Sequence, residues 1–267
     1  MAKVISTINL KGGVGKTTMT VALAEFLALE HNKKVLVIDL DPQTNATVSL
    51  MDEEKWRIKN KKGETIYQLF LDKLPPYSNK FDINKALVNS ASNIGGGIEN
   101  IDLLPSSIDL VKIQDNLLSI AQNTGDPAGV LKKEIDKIPK KYDYILIDCP
   151  PNLGMITKNG LFFSDYYLIP CIPDILSTYG IPIILETVGH FARERSLKLK
   201  PLRIVVSMYR AQTKLHNSVL QTLEEKANEK DIEKRYPQRF KTIIPLAIKA
   251  AEAAEFNAPV NTLKQKY

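Results

Sequence analysis

The sequence contains few of the residues on which several classes of protein depend. It has two cysteines, Cys149 and Cys171, and three histidines among 267 residues. Two cysteines cannot build a disulfide framework or supply four ligands to a structural zinc ion, and we expect both to be small core residues. No stretch reaches the ~20 consecutive apolar residues of a membrane span, and the N-terminal residues carry no secretion signal. These absences favour a soluble, cytoplasmic protein with no membrane partner.

Charge is unevenly distributed along the chain. The sequence has 36 Lys and Arg against 30 Asp and Glu, a formal net charge of +6. Residues 193–249 alone hold 14 basic and 6 acidic residues, a net charge of +8, so the remainder carries −2. A surplus of this kind is usually a solvated surface, and it indicates a polyanion site only when other features call for one.

Short apolar runs alternate with segments of helical periodicity, a pattern typical of an α/β protein. Strands are predicted at 3–9, 35–38, 101–104, 142–147, 166–170, 202–206 and 242–244. Helices are predicted at 17–29, 63–71, 107–121, 129–138, 175–195, 215–227 and 247–255. This order favours one doubly wound domain over residues 1–267, with a mostly parallel sheet and helices on both faces.

The most informative segment is a glycine-rich loop between the first strand and the first helix. Residues 11–18 read KGGVGKTT. Glycines allow successive backbone N–H groups to point at a phosphate, and the N-terminus of the helix that follows favours an anion. Lys16 would reach the β- and γ-phosphates, and the Thr17 hydroxyl would ligate Mg²⁺. The predicted nucleotide-binding residues of the loop are Gly12, Gly13, Val14, Gly15, Lys16, Thr17 and Thr18.

Three aspartates stand at the ends of predicted strands. Asp39 and Asp41 follow the second strand, and Asp148 follows the strand at 142–147. A single aspartate after a strand is usually a turn former. Three of them beside a phosphate loop indicate a site, because ligands of open α/β sheets bind at the carboxyl ends of the strands. Alternate positions of an extended strand point to opposite sides, so Asp39 and Asp41 should not share one role.

The loop departs from the strict phosphate-loop pattern, because Leu10 replaces the first glycine and Lys11 follows it. This is the deviant Walker A form of a P-loop NTPase. With DLDPQTNAT (39–47), DCPPNLGMITKNGL (148–161) and IIPLAIKAAEAAEFNAPV (243–260), the chain resembles the ParA/MinD family of ATPases. Within that family it is most similar to the Soj-like ParA partition proteins. The similarity is weak between 51 and 100, which we interpret as an insertion.

The resemblance implies a slow ATPase that uses ATP and Mg²⁺ and forms a homodimer in the ATP state. Lys11 would reach across the dimer interface to the nucleotide of the other subunit and act with Lys16. Asp41 would orient the attacking water. Asp39 would lie near the magnesium shell, and Asp148 would hold Mg²⁺ through water. Tyr209 and Pro245 would lie near the adenine.

The resemblance also gives the basic surplus a use, since ParA-type dimers bind double-stranded DNA without sequence preference. Contacts of this kind go to phosphates and weaken steeply with salt. Leu246 stands where many relatives have arginine, so one phosphate contact is expected to be absent or moved. The predicted DNA-binding residues are Lys249 first, Lys200 and Arg203 next, and then Lys198, Lys214 and Arg210.

Three functions remain open at this point. The protein could segregate plasmid or chromosome DNA with a ParB-type adaptor that stimulates hydrolysis, which would make it nucleoid-associated. It could instead position a protein cargo, such as a carboxysome or a chemoreceptor cluster, on the nucleoid. A metabolic ATP-dependent synthetase would need a substrate pocket and would not need the basic surface. We expect no N-terminal helix-turn-helix before Lys3, and the segment 261–267 is too short and polar for a membrane helix.

Overall fold

One seven-stranded sheet lies at the centre of the computed structural model, which describes residues 2–114, 116, 126–139, 141–232, 234–246 and 260–267. Its strands are β1 (Lys3–Thr7), β2 (Val35–Asp39), β3 (Val88–Asn89), β4 (Ile101–Leu104), β5 (Tyr144–Asp148), β6 (Tyr166–Cys171) and β7 (Lys200–Val206). The strand order is β3-β4-β2-β5-β1-β6-β7. All neighbouring pairs are parallel except β3 with β4. The predicted mostly parallel sheet is therefore confirmed.

Helices connect the strands and cover the sheet. They are α1 (Lys16–His31), α2 (Asn45–Leu50), α3 (Glu53–Lys61), α4 (Ile66–Leu71), α5 (Ile83–Ala86), α6 (Val130–Ile135), α7 (Met155–Phe163), α8 (Ile175–Glu194), α9 (Lys214–Ala227) and α10 (Leu263–Lys266). Two short 3₁₀ helices lie at Ile108–Lys112 and Pro127–Gly129.

The sheet is buried on both faces, as the continuous apolar runs of its strands require. Successive side chains of a strand point to opposite faces. On β2, Leu36 and Ile38 therefore pack into a core with α4, α6, α7, α8 and α9. Val35 and Val37 pack on the other side with α1, α2 and α10. Helices on both faces confirm the doubly wound architecture.

Helix α8 has the length and composition of a membrane span, with a mean hydropathy of 1.2 over its most apolar 18 residues. Ile181, Ile184 and Val188 of this helix are buried in the core against the sheet. A core helix of a soluble protein meets the same criterion, so the feature is weak evidence for a membrane segment.

One predicted helix is wrong in type, and another cannot be compared with the structure. The helix predicted at 107–121 is a 3₁₀ helix over Ile108–Lys112, and residues 117–125 lie outside the described part. Ile108 and Val111 are exposed there, so the segment lacks the buried stripe that stabilises a longer α-helix. The predicted helix at 247–255 also lies outside the described residues.

The strand predicted at 242–244 is an irregular segment that covers the edge of β7. Isolated bridges join Ile204 to Arg239 and Tyr209 to Pro245. Between them, the Ile244 N–H donates to the Val206 carbonyl at 2.9 Å. Proline has no N–H to continue a ladder, so regular pairing is interrupted. The segment still shields an otherwise open sheet edge.

Candidate nucleotide-binding site

The glycine-rich loop joins the carboxyl end of β1 to the first turn of α1. Gly13 and Gly15 have φ values of +71° and +85°, a region that side-chain-bearing residues rarely adopt. Gly15 is the N-cap of α1, so the loop turns directly into the helix at Lys16. The positive end of the helix dipole and the first free N–H groups therefore face the space enclosed by the loop.

Lys16 and Thr17 point into the site at the start of α1. Lys16 is 6% exposed, and its ammonium donates to the Lys11 carbonyl at 3.4 Å. Burial lowers the pKa of Lys16, while the carboxylates of Asp148 and Asp41 act in the opposite direction. The Thr17 hydroxyl donates to Asp148 Oδ2 at 2.6 Å. A cation and a hydroxyl thus stand beside the strand-end carboxylates, while their contacts with phosphate and Mg²⁺ stay predictions.

Two carboxylates lie side by side where β2 and β5 end, because Asp39 pairs in register with Asp148. Both side chains are fully buried. Burial, followed by the charge of Asp39, raises the pKa of Asp148 well above its usual range. Burial also raises the pKa of Asp39 to about 7, although hydrogen bonds from Thr47 and Asp41 oppose the shift. A cation bound beside these two carboxylates would stabilise their ionised forms and offset their mutual repulsion.

The residues present fit a magnesium ion. Asp148 Oδ1 is buried and has no hydrogen-bond partner among the described residues, and the Thr17 hydroxyl lies on the other carboxylate oxygen. The described chain has no group of three or more His, Cys, Asp or Glu side chains that could enclose a metal. A sparse oxygen set suits Mg²⁺, which keeps several waters and takes ligands from a bound phosphate.

Asp39 and Asp41 have different surroundings, because β2 ends at Asp39 and Asp41 lies in the turn that follows. The Asp39 carboxylate accepts from the Asp41 N–H at 3.0 Å and from the Thr47 N–H and hydroxyl at 2.8 and 2.7 Å. Asp41 follows the end of β2 and is 6% exposed, and its Oδ1 accepts from the Gln43 N–H at 2.9 Å. A place for Asp39 near the magnesium shell stays a prediction, because protein donors engage both of its oxygens.

Lys11 lies against its own chain. Its ammonium donates to Asp174 Oδ2 at 2.6 Å, with the two side chains 32% and 26% exposed. Asp174 also caps α8 by accepting from the Ser177 N–H at 2.7 Å. Burial raises the pKa of Asp174, but the hydrogen bonds from Lys11 and Ser177 outweigh it and hold the pKa below its usual value. Sequence reasoning missed Asp174, which stands 163 positions after Lys11.

Residues after β7 complete the wall of the loop. The Ser207 hydroxyl donates to the Val14 carbonyl at 2.8 Å. An added methyl group on Gly15 would lie 3.9 Å from the Met208 side chain. Tyr209 and Pro245 lie together, joined by a bridge, on the residues that continue from this wall. Their contact with an adenine stays a prediction.

The predicted DNA-binding residues that the structure describes do not form one cluster. Lys198 and Lys200 are exposed at the amino end of β7, whereas Arg210 and Lys214 are exposed beyond its carboxyl end. Seven residues of strand separate these two pairs, about 20 Å. Arg203 lies within β7, where its guanidinium donates to Gln238 at 2.8 Å. Lys249, the first choice from sequence, lies outside the described residues.

Comparisons with known proteins show the family to which the chain belongs. A family model described as an AAA domain (AAA_31) matches residues 2–201. The chromosome-partitioning ATPase Soj of Treponema pallidum is 32% identical over 98% of this chain and 90% of its own length.

Two solved structures superpose over nearly the whole chain, each with a TM-score of 0.72. A plasmid partition protein of Borrelia burgdorferi bound to AMPPNP is 25% identical and covers 96% of this chain and 92% of its own. Cobyrinic acid a,c-diamide synthase of Mycobacterium smegmatis, with bound ADP and magnesium, is 27% identical and covers 95% and 91%. The chain belongs to the AAA_31 family of ParA/MinD-type ATPases and is a homologue of the Soj and ParA partition proteins.

Proposed function

We propose that the protein hydrolyses ATP to ADP and phosphate in a cycle of dimerisation and non-specific DNA binding that partitions plasmid or chromosome DNA. The observation that carries the ATPase assignment is the contact between Thr17 and Asp148 beside an unpartnered carboxylate oxygen. Homology to partition proteins over nearly the whole chain supports the choice of cargo.

Magnesium would be held by the Thr17 hydroxyl and, through water, by Asp148. Bound there, the ion would neutralise charge on the phosphates of the nucleotide. The chain supplies the remaining positive charge, since Lys16 lies inside the loop at the helix N-terminus. Backbone N–H groups of residues 12–18 would hold the phosphate oxygens. Catalysis would then be positioning and charge neutralisation, with little covalent work for the protein.

Asp41 would orient the water that attacks the γ-phosphate. Its backbone is fixed by hydrogen bonds to Asp39 and Ser106, and one carboxylate oxygen accepts from the Gln43 N–H. A fixed carboxylate can accept a hydrogen bond from a water without paying for its own reorganisation at the moment of reaction. Slow turnover would suit a cycle in which ATP hydrolysis determines when the protein is released from DNA.

Dimerisation would take Lys11 away from Asp174 and onto the nucleotide of the other subunit. Next to this ion pair, α8 exposes the large apolar side chains Ile175, Leu176 and Tyr179, which are 51%, 71% and 69% exposed. Exposed large apolar side chains on the helix that Asp174 caps suit burial against a second copy. Lys11 would thereby link nucleotide binding to assembly.

The basic residues around β7 and Lys249 would contact DNA phosphates in the dimer. Among the described residues, Lys198, Lys200, Arg210 and Lys214 are dispersed and exposed, which suits backbone contacts that carry no sequence information. The protein would then be cytoplasmic and associated with the nucleoid, and a ParB-type adaptor would stimulate hydrolysis. The same ATPase would serve a protein cargo, so the adaptor decides the cargo.

The test combines hydrolysis and assembly in one preparation. ATP turnover is measured with and without Mg²⁺, and the mass in solution is measured with ATP, with ADP and without nucleotide. We expect Mg²⁺-dependent turnover and a dimer in ATP alone. Absence of turnover with Mg²⁺ and DNA present, or an unchanged mass in all three states, would contradict the proposal.

A further inference from the structure

A chain of hydrogen bonds connects a charged surface helix to the strand-end aspartates. It begins at Trp56 on α3, the only tryptophan of the sequence. Every residue of α3 is at least partly exposed, and the helix is rich in charge. The Trp56 indole N–H donates to the Ser106 carbonyl at 3.0 Å. One side chain thus connects this helix to the segment that follows β4.

Ser106 in turn donates hydrogen bonds to Asp41 and to Thr47, on the two sides of the turn that follows Asp39. Its hydroxyl donates to the Asp41 carbonyl at 2.8 Å, and its N–H donates to the Thr47 hydroxyl at 2.9 Å. The Thr47 hydroxyl donates in turn to Asp39 Oδ2 at 2.7 Å. Ser106 and Thr47 are fully buried, so every one of these polar groups would be costly without its partner.

The result is that the backbone of Asp41 is held at both ends. Its N–H donates to Asp39 Oδ1 at 3.0 Å, and its carbonyl accepts from the Ser106 hydroxyl and from the Thr44 N–H at 2.9 Å. Asp41 lies beyond the last residue of β2, so the sheet ladder does not fix it. Ser106 and Thr47 therefore fix the position of this turn, as strand pairing fixes the positions of Asp39 and Asp148.

We infer that Thr47, Ser106 and Trp56 are positioning residues that hold Asp41 for hydrolysis and couple α3 to the nucleotide site. This inference rests on the proposed function, in which Asp41 orients the water. Because coupling between two sites is reciprocal, a change at the nucleotide site reaches Trp56, and displacement of α3 reaches Asp41.

The kinetic test uses Ser106→Ala and Trp56→Phe. Each removes one donor of the hydrogen-bond chain, and Trp56→Phe keeps an aromatic ring where the half-buried Trp56 packs against the core. Loss of one hydrogen bond predicts a kcat about threefold to tenfold lower, with KM within about twofold of wild type. Ser107→Ala is the matched control, since the neighbouring Ser107 hydroxyl bonds the Asp109 N–H at 3.1 Å instead. We expect it to keep the wild-type kcat.

The spectroscopic test uses Trp56 as its own probe. Addition of Mg²⁺ with a non-hydrolysable ATP analogue should change the tryptophan emission of the wild type and of Ser107→Ala. Ser106→Ala and Thr47→Val should bind the analogue with the wild-type Kd and lose the emission change. If Ser106 and Thr47 only supported folding, their variants would not keep the wild-type affinity for the nucleotide while losing the emission change of Trp56.

The outcomes distinguish this inference from the proposed function. If Asp41→Ala lowers kcat while Ser106→Ala and Trp56→Phe do not, the positioning role is wrong and the ATPase assignment stands. An emission unchanged by the analogue in the wild type would also overturn the coupling. If the wild type does not hydrolyse ATP, or Asp41→Ala hydrolyses it normally, the proposed role of Asp41 fails and the inference fails with it.

Discussion

The phosphate loop and the basic surface around β7 hold their predicted functional side chains in opposite ways. Lys16 and Asp148 are buried, and each has a defined hydrogen-bond partner. Lys200, Arg210 and Lys214 are exposed and lie at both ends of one edge strand. Phosphoryl transfer requires reacting groups fixed to within a fraction of an ångström, whereas contacts to a uniform phosphate backbone tolerate dispersion.

The difference determines how mutations should behave in the two regions. A change in the loop removes a group for which the chain has no substitute. A change on the basic surface removes one of several contacts of similar kind, so its effect should be smaller and should depend on salt.

Lys16→Ala should have the largest effect. It removes the buried ammonium of the loop, and we expect kcat/KM for ATP to fall about 1000-fold, with loss of ATP-dependent dimerisation. Equilibrium dialysis measures how much of this loss in kcat/KM comes from weaker binding of ATP. Retained micromolar affinity for ATP would contradict the assignment of the loop.

Asp41→Ala should reduce kcat about 100-fold while leaving ATP binding intact, because the side chain orients water and does not hold the nucleotide. The variant should accumulate as an ATP-bound dimer that still binds DNA. Light scattering and a duplex-binding assay in ATP report the two properties. A monomer in ATP would mean that Asp41 is needed for assembly as well.

Charge reversal on the basic surface should weaken DNA binding about tenfold per site and leave ATP-driven dimerisation unchanged. Lys249→Glu is expected to have the largest effect of the set, and Lys200→Glu and Arg210→Glu compare the two ends of β7. The exposed Lys226 on α9 offers a matched control as Lys226→Glu. If all four substitutions weaken DNA binding equally, binding depends on the net charge of the protein and not on these particular sites. Loss of ATP-driven dimerisation in a variant would mean that the substituted residue has a structural role.

Asp174→Asn should have the smallest effect and the opposite sign. The partly exposed ion pair with Lys11 contributes up to about 1 kcal/mol. Its removal should free Lys11 and lower the ATP concentration for half-maximal dimerisation about twofold to fivefold. A titration of dimer mass against ATP measures the shift. A higher midpoint would show that Asp174 assists assembly.

The sheet and the centre of the nucleotide site could be predicted from sequence, because both leave local patterns. β2 and β5 are continuous apolar runs that end in Asp39 and Asp148, and the loop is encoded in eight consecutive residues. The antiparallel β3 has two residues and gives no periodicity to detect.

The partners of the site residues could not be predicted in the same way. Ser106 reaches Asp41 across 65 positions, and Ser207 reaches Val14 across 193. A lone serine or aspartate has many common structural uses, so nothing local distinguishes these residues. The separation of the basic residues along β7 could not be predicted either, because a count of charges does not say where the side chains lie in space.

We expect ATP to switch this ATPase onto DNA. Binding of a random-sequence duplex to the wild type, with ATP, ADP or no nucleotide and each at two salt concentrations, measures this switch. The protein should bind the duplex with ATP alone, and binding should fall steeply as salt rises. Equal binding in all three nucleotide states, or none in any of them, would contradict it.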